Sequence, residues 1–254
     1  MKLTAEEFLA QPQKAITLIG MSGVGKSYLA DKMAGWGWIS YSCDDLISTK
    51  YLKNEFEGGD VDAMDALSRF VGRIGNSEKG GLVREEFKRR QQLYYDAECQ
   101  ALRDMLAVLE EAHGQQNSFI NDSAGSLCEI EDTELIASIG KKTLFVYLKV
   151  GQEDYKGLLQ RAFEHPKPLY FPPDFFRERL AHYMSDLDVS SVEDVDPDEF
   201  LRWVFPYLFE SRLPKYKVLA EQYGVKVHVS DLENINSEDA FLSVVANALE
   251  VQQG

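Results

Sequence analysis

The feature that most restricts what this chain can fold into is a glycine-rich stretch near its start. Residues 20–27 read Gly-Met-Ser-Gly-Val-Gly-Lys-Ser, which matches G-x-x-x-x-G-K-[S/T] at every fixed position. A compact apolar run at 15–19, typical of a buried strand, precedes this stretch, and a helix is predicted for 27–34. A strand, a glycine-rich turn and a helix in this order predict a loop whose backbone amides surround a phosphate group. We call residues 20–27 the phosphate loop.

Two side chains of the phosphate loop have a predicted chemical role. Lys26 is expected to contact the β- and γ-phosphates of ATP and to be catalytic, and the Ser27 hydroxyl is expected to ligate Mg²⁺. A chance glycine-rich turn and a loop that binds nucleotide without catalysis are the alternatives. The predicted nucleotide contacts are Gly20, Met21, Ser22, Gly23, Val24, Gly25, Lys26, Ser27 and Tyr28.

The composition restricts the size and the partners of the protein. With 254 residues, 44% of them hydrophobic, the chain has enough apolar material for one full-sized core, so we expect a single domain over residues 1–254. A net charge of −15 argues against binding to nucleic acid or to an anionic membrane. No apolar run approaches the roughly 20 residues of a membrane span, and the first residues are too acidic for a secretory signal. We therefore expect a soluble, cytoplasmic protein.

Predicted strands and helices alternate along the chain. Helices are expected at 4–9, where Thr4 and Glu7 have capping-box spacing, from residue 82 onward, at 155–164 and at 214–222. This alternation predicts an α/β fold with a five-stranded parallel sheet and helices on both faces. The predicted strands are 15–19, 38–42, 118–122, 143–150 and 225–229.

Two segments do not fit the alternation. Residues 49–81 are polar and contain glycine, which favours a mobile region that covers a substrate. Residues 166–209 contain four of the eight prolines near their start and an acidic stretch from 186 to 199. We interpret 166–209 as an insertion between the fourth and fifth strands that acts as a lid, and a protein partner for this segment remains open.

In order along the chain, the motifs after the phosphate loop resemble those of the shikimate kinase family. That family has D-x-D-x-x-I after its second strand, and residues 42–47 read Ser-Cys-Asp-Asp-Leu-Ile, which places Asp44 on the second Asp. The resemblance implies a P-loop NTPase fold, and it implies that Asp44 orients the acceptor hydroxyl or accepts its proton. The alternative for Asp44 is a helix N-cap.

The next motif of the family, F-R-x-x-E, is altered. Residues 87–91 read Phe-Lys-Arg-Arg-Gln, with Lys88 in the place of the Arg that binds the acceptor carboxylate and Gln91 in the place of the Glu. The resemblance therefore implies that Lys88 contacts the acceptor, although a lysine lacks the two-point fork of an arginine. Arg89 or Arg90 is a candidate to compensate, and a solvated basic helix face is the alternative.

The family's Gly-Gly-Gly turn after the third strand is also altered. Residues 122–126 read Asp-Ser-Ala-Gly-Ser, so only Gly125 is retained, and the resemblance implies that it lies against the acceptor. The side chains of Ser123 and Ala124 are expected to crowd a pocket of shikimate's size, which argues against shikimate as the acceptor. Asp122, at the end of the strand, is the expected Walker B acid that holds Mg²⁺ through water. No N-K-x-D motif follows, so we expect ATP rather than GTP.

Two arginines complete the resemblance. Arg161 matches the family's lid arginine and is implied to neutralise charge on the transferring phosphoryl group. Residues 210–220 resemble the family's E-x-R-x-x-x-Y-x-x-x-A helix, which implies that Arg212 binds the acceptor carboxylate. A surface salt bridge for Arg161 and an ordinary capped helix around Arg212 are the alternatives.

Together these motifs favour an ATP- and Mg²⁺-dependent kinase that phosphorylates a hydroxyl of a small anionic metabolite. The alternative is a nucleotide-controlled regulatory ATPase whose insertion binds a protein partner. A nucleotide or nucleoside kinase, or a kinase of nucleotide sugars, is a third possibility.

Overall fold

The computed structural model describes residues 3–56 and 63–253, which form two compact units. The first unit comprises Met1–Cys43, Ala101–Lys156 and Arg212–Gly254, and the second comprises Asp44–Gln100 and Gly157–Ser211. The predicted insertion, 166–209, lies entirely within the second unit. That residues 1–254 act as one domain with a lid stays a prediction.

The first unit contains a parallel sheet of five strands in the order β2-β3-β1-β4-β5, counted over the described residues. Every residue of β1 and β3 is buried, as expected for a parallel sheet covered on both faces. The sheet and its strand positions confirm the predicted α/β fold of the P-loop NTPase class. The strands are β1 (Ala15–Ile19), β2 (Ile39–Ser42), β3 (Phe119–Asp122), β4 (Leu144–Lys149) and β5 (Gly224–His228).

The helices are α1 (Ala5–Ala10), α2 (Lys26–Gly35), α3 (Cys43–Leu46), α4 (Ala63–Val71), α5 (Arg84–Gly114), α6 (Thr133–Lys142), α7 (Gln152–Glu164), α8 (Pro173–Asp186), α9 (Pro197–Tyr223) and α10 (Glu238–Gln253). The capping box of α1 is confirmed, since Thr4 and Glu7 exchange backbone-to-side-chain hydrogen bonds of 3.0 and 2.8 Å. The sequence analysis identified α1, α2, the long helix α5 and α7 but missed α3, α4, α6, α8 and α10. No helix of the described residues combines the length and apolar character that a membrane span requires.

The largest difference from the sequence prediction is α9, which continues through Pro206 and Pro214. The prediction that 214–222 are helical is confirmed, but their helix begins at Pro197, so position 209, the predicted end of the insertion, falls inside α9. A proline in a helix interior costs about 3 kcal/mol. Burial of an apolar side chain contributes about 1.5–3 kcal/mol, and α9 buries several. Every fourth residue along one stripe of α9 is buried: Phe200, Val204, Leu208, Arg212, Tyr216 and Ala220.

Aromatic rings form the interior of the second unit. Phe176 lies 4.9 Å from Phe87 and 6.4 Å from Phe200 between ring centroids, and Phe171 lies 6.2 Å from Phe200. All four rings are buried. Residues 166–209 thus contain α8, the start of α9 and much of an aromatic core. The expected mobility of residues 49–81 stays a prediction, and 57–62 of that segment lie outside the described residues.

Candidate functional site

The phosphate loop connects β1 to α2 through a backbone that requires glycine. Gly20, Gly23 and Gly25 have φ angles of 147°, 84° and 97°, a region that residues with a side chain rarely adopt. Gly25 is the residue immediately before α2. The motif glycines therefore meet a conformational requirement of this turn, and the loop ends at the positive end of a helix dipole.

The side chain of Lys26, the first residue of α2, lies against the loop. Lys26 is 7% exposed, and its Nζ donates hydrogen bonds to the carbonyl oxygens of Gly20 at 3.0 Å and Met21 at 3.2 Å. The ammonium group and the start of α2 thus place positive charge at the same turn. This is the arrangement that binding of a phosphate chain requires.

Two oxygen donors of the first unit have the chemistry of a Mg²⁺ site. Ser27 is exposed in the first turn of α2, and Asp122, the last residue of β3, is paired in register with Leu18 of β1 and Ser42 of β2. No cluster of three or more His, Cys, Asp or Glu suited to a metal occurs among the described residues. Mg²⁺ is commonly held by one or two protein oxygens together with phosphates of a bound nucleotide, so a hydroxyl and a carboxylate fit the ion.

Gly125 packs directly against the phosphate loop. A Cβ atom at this position would lie 2.9 Å from the backbone nitrogen of Ser22, too close for a real contact. Glycine is required here by the close approach of two backbone segments. The implied contact of Gly125 with an acceptor stays a prediction.

The two residues before Gly125 have buried side chains in the first unit. Ser123 is 2% exposed and its Oγ donates a hydrogen bond of 2.6 Å to the carbonyl of Leu18, and Ala124 is 1% exposed. Ser123 thus ties the end of β3 to β1.

Arg212 is fully buried in the first unit, although the resemblance implies that it binds the acceptor. Its Nε donates to Glu129 Oε1 at 3.0 Å, and its Nη1 donates to the carbonyl of Gly125 at 3.1 Å. The side chains of Arg212 and Glu129 are both 2% exposed. Sequence reasoning missed Glu129, because no motif marks it and it lies 83 positions from Arg212. The acceptor-binding role of Arg212 stays a prediction.

Asp44 is the half-buried second residue of α3 in the second unit. Its Oδ1 accepts a hydrogen bond of 3.3 Å from the hydroxyl of Tyr94 on α5. Tyr94 was not identified from the sequence, because no motif marks it within the long helix α5. The hydrogen bond restricts the orientation of the Asp44 carboxylate.

Lys88 on α5 and Arg161 on α7 are exposed in the second unit. The neighbours of Lys88 have partners of their own: Arg89 and Arg90 both bind Glu86 and hold the pKa of its carboxyl down to about 2. Gln91 is buried and holds residues 169–171, since it accepts from the Phe171 amide at 2.8 Å and donates to the Leu169 carbonyl at 3.3 Å.

The predicted site residues are thus divided between the units. Lys26, Ser27, Asp122, Gly125 and Arg212 belong to the first unit, and Asp44, Lys88 and Arg161 belong to the second.

A cavity of about 740 Å³ lies at the opposite edge of the sheet from the phosphate loop. Its lining includes Ala15, Leu144 and Gly224, the first residues of β1, β4 and β5. None of the predicted site residues lines this cavity.

No protein-family model matches the chain, and no curated protein sequence matches it. Among solved structures, the chain is similar to a shikimate kinase from Bacteroides thetaiotaomicron, with 16% identity, 95% of this chain and 99% of that chain covered, and a TM-score of 0.45. It is also similar to a shikimate kinase from Acinetobacter baumannii in complex with shikimate, with 14% identity, coverages of 97% and 96%, and a TM-score of 0.36.

A gluconokinase from Sinorhizobium meliloti is a third similar structure, with 13% identity, coverages of 95% and 92%, and a TM-score of 0.34. With TM-scores below 0.5, the fold assignment rests on the chain's own sheet and phosphate loop. By these features the chain has the P-loop NTPase fold, and its motifs resemble those of small-molecule kinases of the shikimate kinase type.

Proposed function

We propose that this protein is an ATP-dependent kinase that transfers the γ-phosphoryl group to a hydroxyl of a small anionic metabolite. The observation that carries the proposal is the phosphate loop. Three glycines have φ angles that favour glycine. Lys26, at the start of α2, donates hydrogen bonds to the loop carbonyls of Gly20 and Met21. Phosphoryl transfer depends mainly on positioning and charge stabilisation, and these residues supply both.

In the proposed reaction, the loop amides and Lys26 hold the β- and γ-phosphates of ATP. Ser27 and Asp122 hold Mg²⁺, which, when bound, neutralises negative charge on the phosphate oxygens. The positive charge at the start of α2 is fixed before the nucleotide binds. Such preorganised charge stabilises a transition state without reorganisation at the moment of reaction.

The acceptor side of the proposal rests on residues of the second unit. Asp44 orients the acceptor hydroxyl, and its hydrogen bond from Tyr94 supports a fixed carboxylate orientation. Lys88 binds an anionic group of the acceptor, and Arg161 neutralises charge on the transferring phosphoryl group. Both cations are exposed, so contact with a ligand requires no burial of an unpaired charge.

Residues 166–209 are proposed to act as a lid that excludes water during transfer. The proposal predicts that hydrogen exchange across 166–209 slows when ATP and acceptor are both bound. Unchanged exchange with both ligands present contradicts it. A protein partner for this segment and the cytoplasmic location remain predictions from the sequence.

A metabolite screen coupled to ADP release tests the proposed function. Purified protein with Mg-ATP is supplied with hydroxy acids, sugar acids, nucleosides and nucleotides, and the Lys26→Ala variant serves as the inactive control. We expect one anionic hydroxyl compound to raise ADP release to about 1 s⁻¹ or more. Slow hydrolysis that no compound stimulates contradicts the kinase proposal and favours the regulatory ATPase.

Shikimate is included in the screen and is expected to fail as an acceptor. Ser123 and Ala124 occupy positions where the shikimate kinase family has glycines, and Lys88 replaces an arginine. Shikimate-dependent ADP release of about 1 s⁻¹ or more contradicts this expectation.

A further inference from the structure

A hydrogen-bonded cluster of Gly125, Glu129, Arg212 and Tyr216 lies next to the phosphate loop in the first unit. Gly125, in the turn after β3, touches the loop at Ser22 with no room for a Cβ atom. The carbonyl of Gly125 accepts hydrogen bonds from Arg212 Nη1 and from the hydroxyl of Tyr216. Any shift of this turn therefore shifts a segment that contacts the loop backbone.

The same two side chains contact the loop itself. Arg212 Nη1 and the Tyr216 hydroxyl each lie 3.8 Å from the sulfur of Met21, a loop residue. Arg212 and Tyr216 are four residues apart on α9 and therefore lie on one face of the helix. One helix face thus contacts both the phosphate loop and the turn packed against it.

Glu129 fixes the cationic member of the cluster. Its Oε1 accepts from Arg212 and its Oε2 from Lys215, so both carboxylate oxygens are used. Burial raises the pKa of Tyr216 well above its usual value, so the hydroxyl keeps its proton and remains a donor. Fully satisfied buried polar networks of this kind make a local structure rigid.

We infer that Arg212 and Tyr216 are positioning residues, which hold Gly125 and Met21 so that the phosphate loop keeps its nucleotide-binding shape before nucleotide arrives. The inference rests on the proposed function only for the identity of the ligand, Mg-ATP. It gives Arg212 a different role from the acceptor contact that the resemblance implies.

The two roles of Arg212 predict opposite results. If Arg212 binds the acceptor, Arg212→Lys weakens acceptor use and leaves Mg-ATP affinity and the loop unchanged. If Arg212 positions the loop, Arg212→Lys weakens Mg-ATP binding in the absence of any acceptor. Arg212→Ala is avoided, because it leaves Glu129 buried with one partner removed and endangers folding.

Tyr216→Phe is the most specific variant, because it removes only one hydroxyl and keeps the ring that stacks on Tyr147 with a centroid distance of 5.3 Å. Tyr207→Phe on the same helix is the matched control, because Tyr207 is 38% exposed and its partners contact the ring. Gly125→Ala tests the close approach itself, because its new methyl group must displace Ser22.

Two measurements decide the inference. Hydrogen exchange of residues 20–27 is followed in the nucleotide-free protein, and Mg-ATP affinity is measured by calorimetry without acceptor. Tyr216→Phe and Arg212→Lys are expected to speed loop exchange several-fold and to weaken Mg-ATP binding by up to about tenfold, equal to about 1.4 kcal/mol. Gly125→Ala is expected to change loop exchange and Mg-ATP affinity more than either of these variants. Tyr207→Phe is expected to have the loop exchange and the Mg-ATP affinity of wild type.

Loop exchange and Mg-ATP affinity that stay at wild-type values in Tyr216→Phe and Arg212→Lys overturn the inference, even if the unfolding temperature falls. A wild-type protein that does not bind Mg-ATP contradicts the proposed function instead. In that event the exchange measurement still decides the positioning role, because it requires no nucleotide.

Discussion

The candidate functional cations are buried in the first unit of the molecule and exposed in the second. In the first unit, Lys26 and Arg212 are 7% and 2% exposed, and each donates hydrogen bonds to backbone carbonyls. In the second unit, Lys88 and Arg161 are exposed, while the interior consists largely of aromatic rings. Buried cations held by hydrogen bonds have a restricted geometry, whereas exposed ones can adjust to a ligand. We therefore expect the proposed phosphate-binding residues of the first unit, the preorganised side, to keep one geometry, and the proposed acceptor-binding residues of the second unit, the adaptable side, to adjust to a ligand.

The largest expected effect concerns the stability of the aromatic interior. Phe200→Ala removes a ring that is 0% exposed and contacts Phe171, Phe176 and Tyr183, so we expect the free energy of unfolding to fall by about 3–5 kcal/mol. Urea unfolding measures this change. Phe163→Ala in the same unit is the control, because Phe163 is 66% exposed and its loss is expected to change the value by less than about 0.5 kcal/mol. Equal effects of the two variants contradict the assignment of the core.

The second prediction concerns the preorganised side. Asp122→Asn keeps the shape of the side chain but removes the charge that we assign to Mg²⁺, so we expect ATP turnover to fall about 10- to 100-fold. The Mg²⁺ concentration for half-maximal turnover is expected to rise. Asp132→Asn in the same unit is the control, because the Asp132 carboxylate pairs with Arg103 near the protein surface. An unchanged Mg²⁺ dependence in Asp122→Asn removes Asp122 from the proposed site.

How well a feature is predicted from the sequence depends on how close together its residues lie along the chain. The phosphate loop occupies consecutive residues whose glycines are required by the backbone, so a local pattern is sufficient. The Arg212–Glu129 contact joins residues 83 positions apart, and only the folded sheet and helices bring them together. The part of α9 before residue 214 was not predicted, because prolines normally mark helix ends, and here the buried face of α9 outweighs their cost.

The third prediction concerns the adaptable side. Arg161→Ala is expected to lower the rate of acceptor phosphorylation about tenfold at saturating Mg-ATP, because one charged contact to the transferring group is lost. Mg-ATP affinity is expected to change little. Lys156→Ala on the same helix is the control, since Lys156 pairs with Glu153 on an exposed surface. Equal rates for Arg161→Ala and wild type mean that Arg161 has only a surface role.

The smallest expected effect is the choice of nucleotide. The chain lacks an N-K-x-D motif after Asp122, so we expect Mg-ATP to bind several-fold more tightly than Mg-GTP. Competition between the two nucleotides for the wild-type protein measures this preference. Tighter binding of Mg-GTP contradicts it.

The most direct test of the central claim, that the phosphate loop is the centre of phosphoryl transfer, is ATP turnover by Lys26→Ala. Wild type and Lys142→Ala are measured beside it, because Lys142 lies in the same unit and pairs with Glu110 on an exposed surface. We expect a loss of roughly 100-fold or more in Lys26→Ala, as for removal of one preorganised group that stabilises transition-state charge. The unfolding temperature of Lys26→Ala and the turnover of Lys142→Ala are expected to stay near wild type. Wild-type turnover by a folded Lys26→Ala protein contradicts the account, because the reaction then occurs elsewhere.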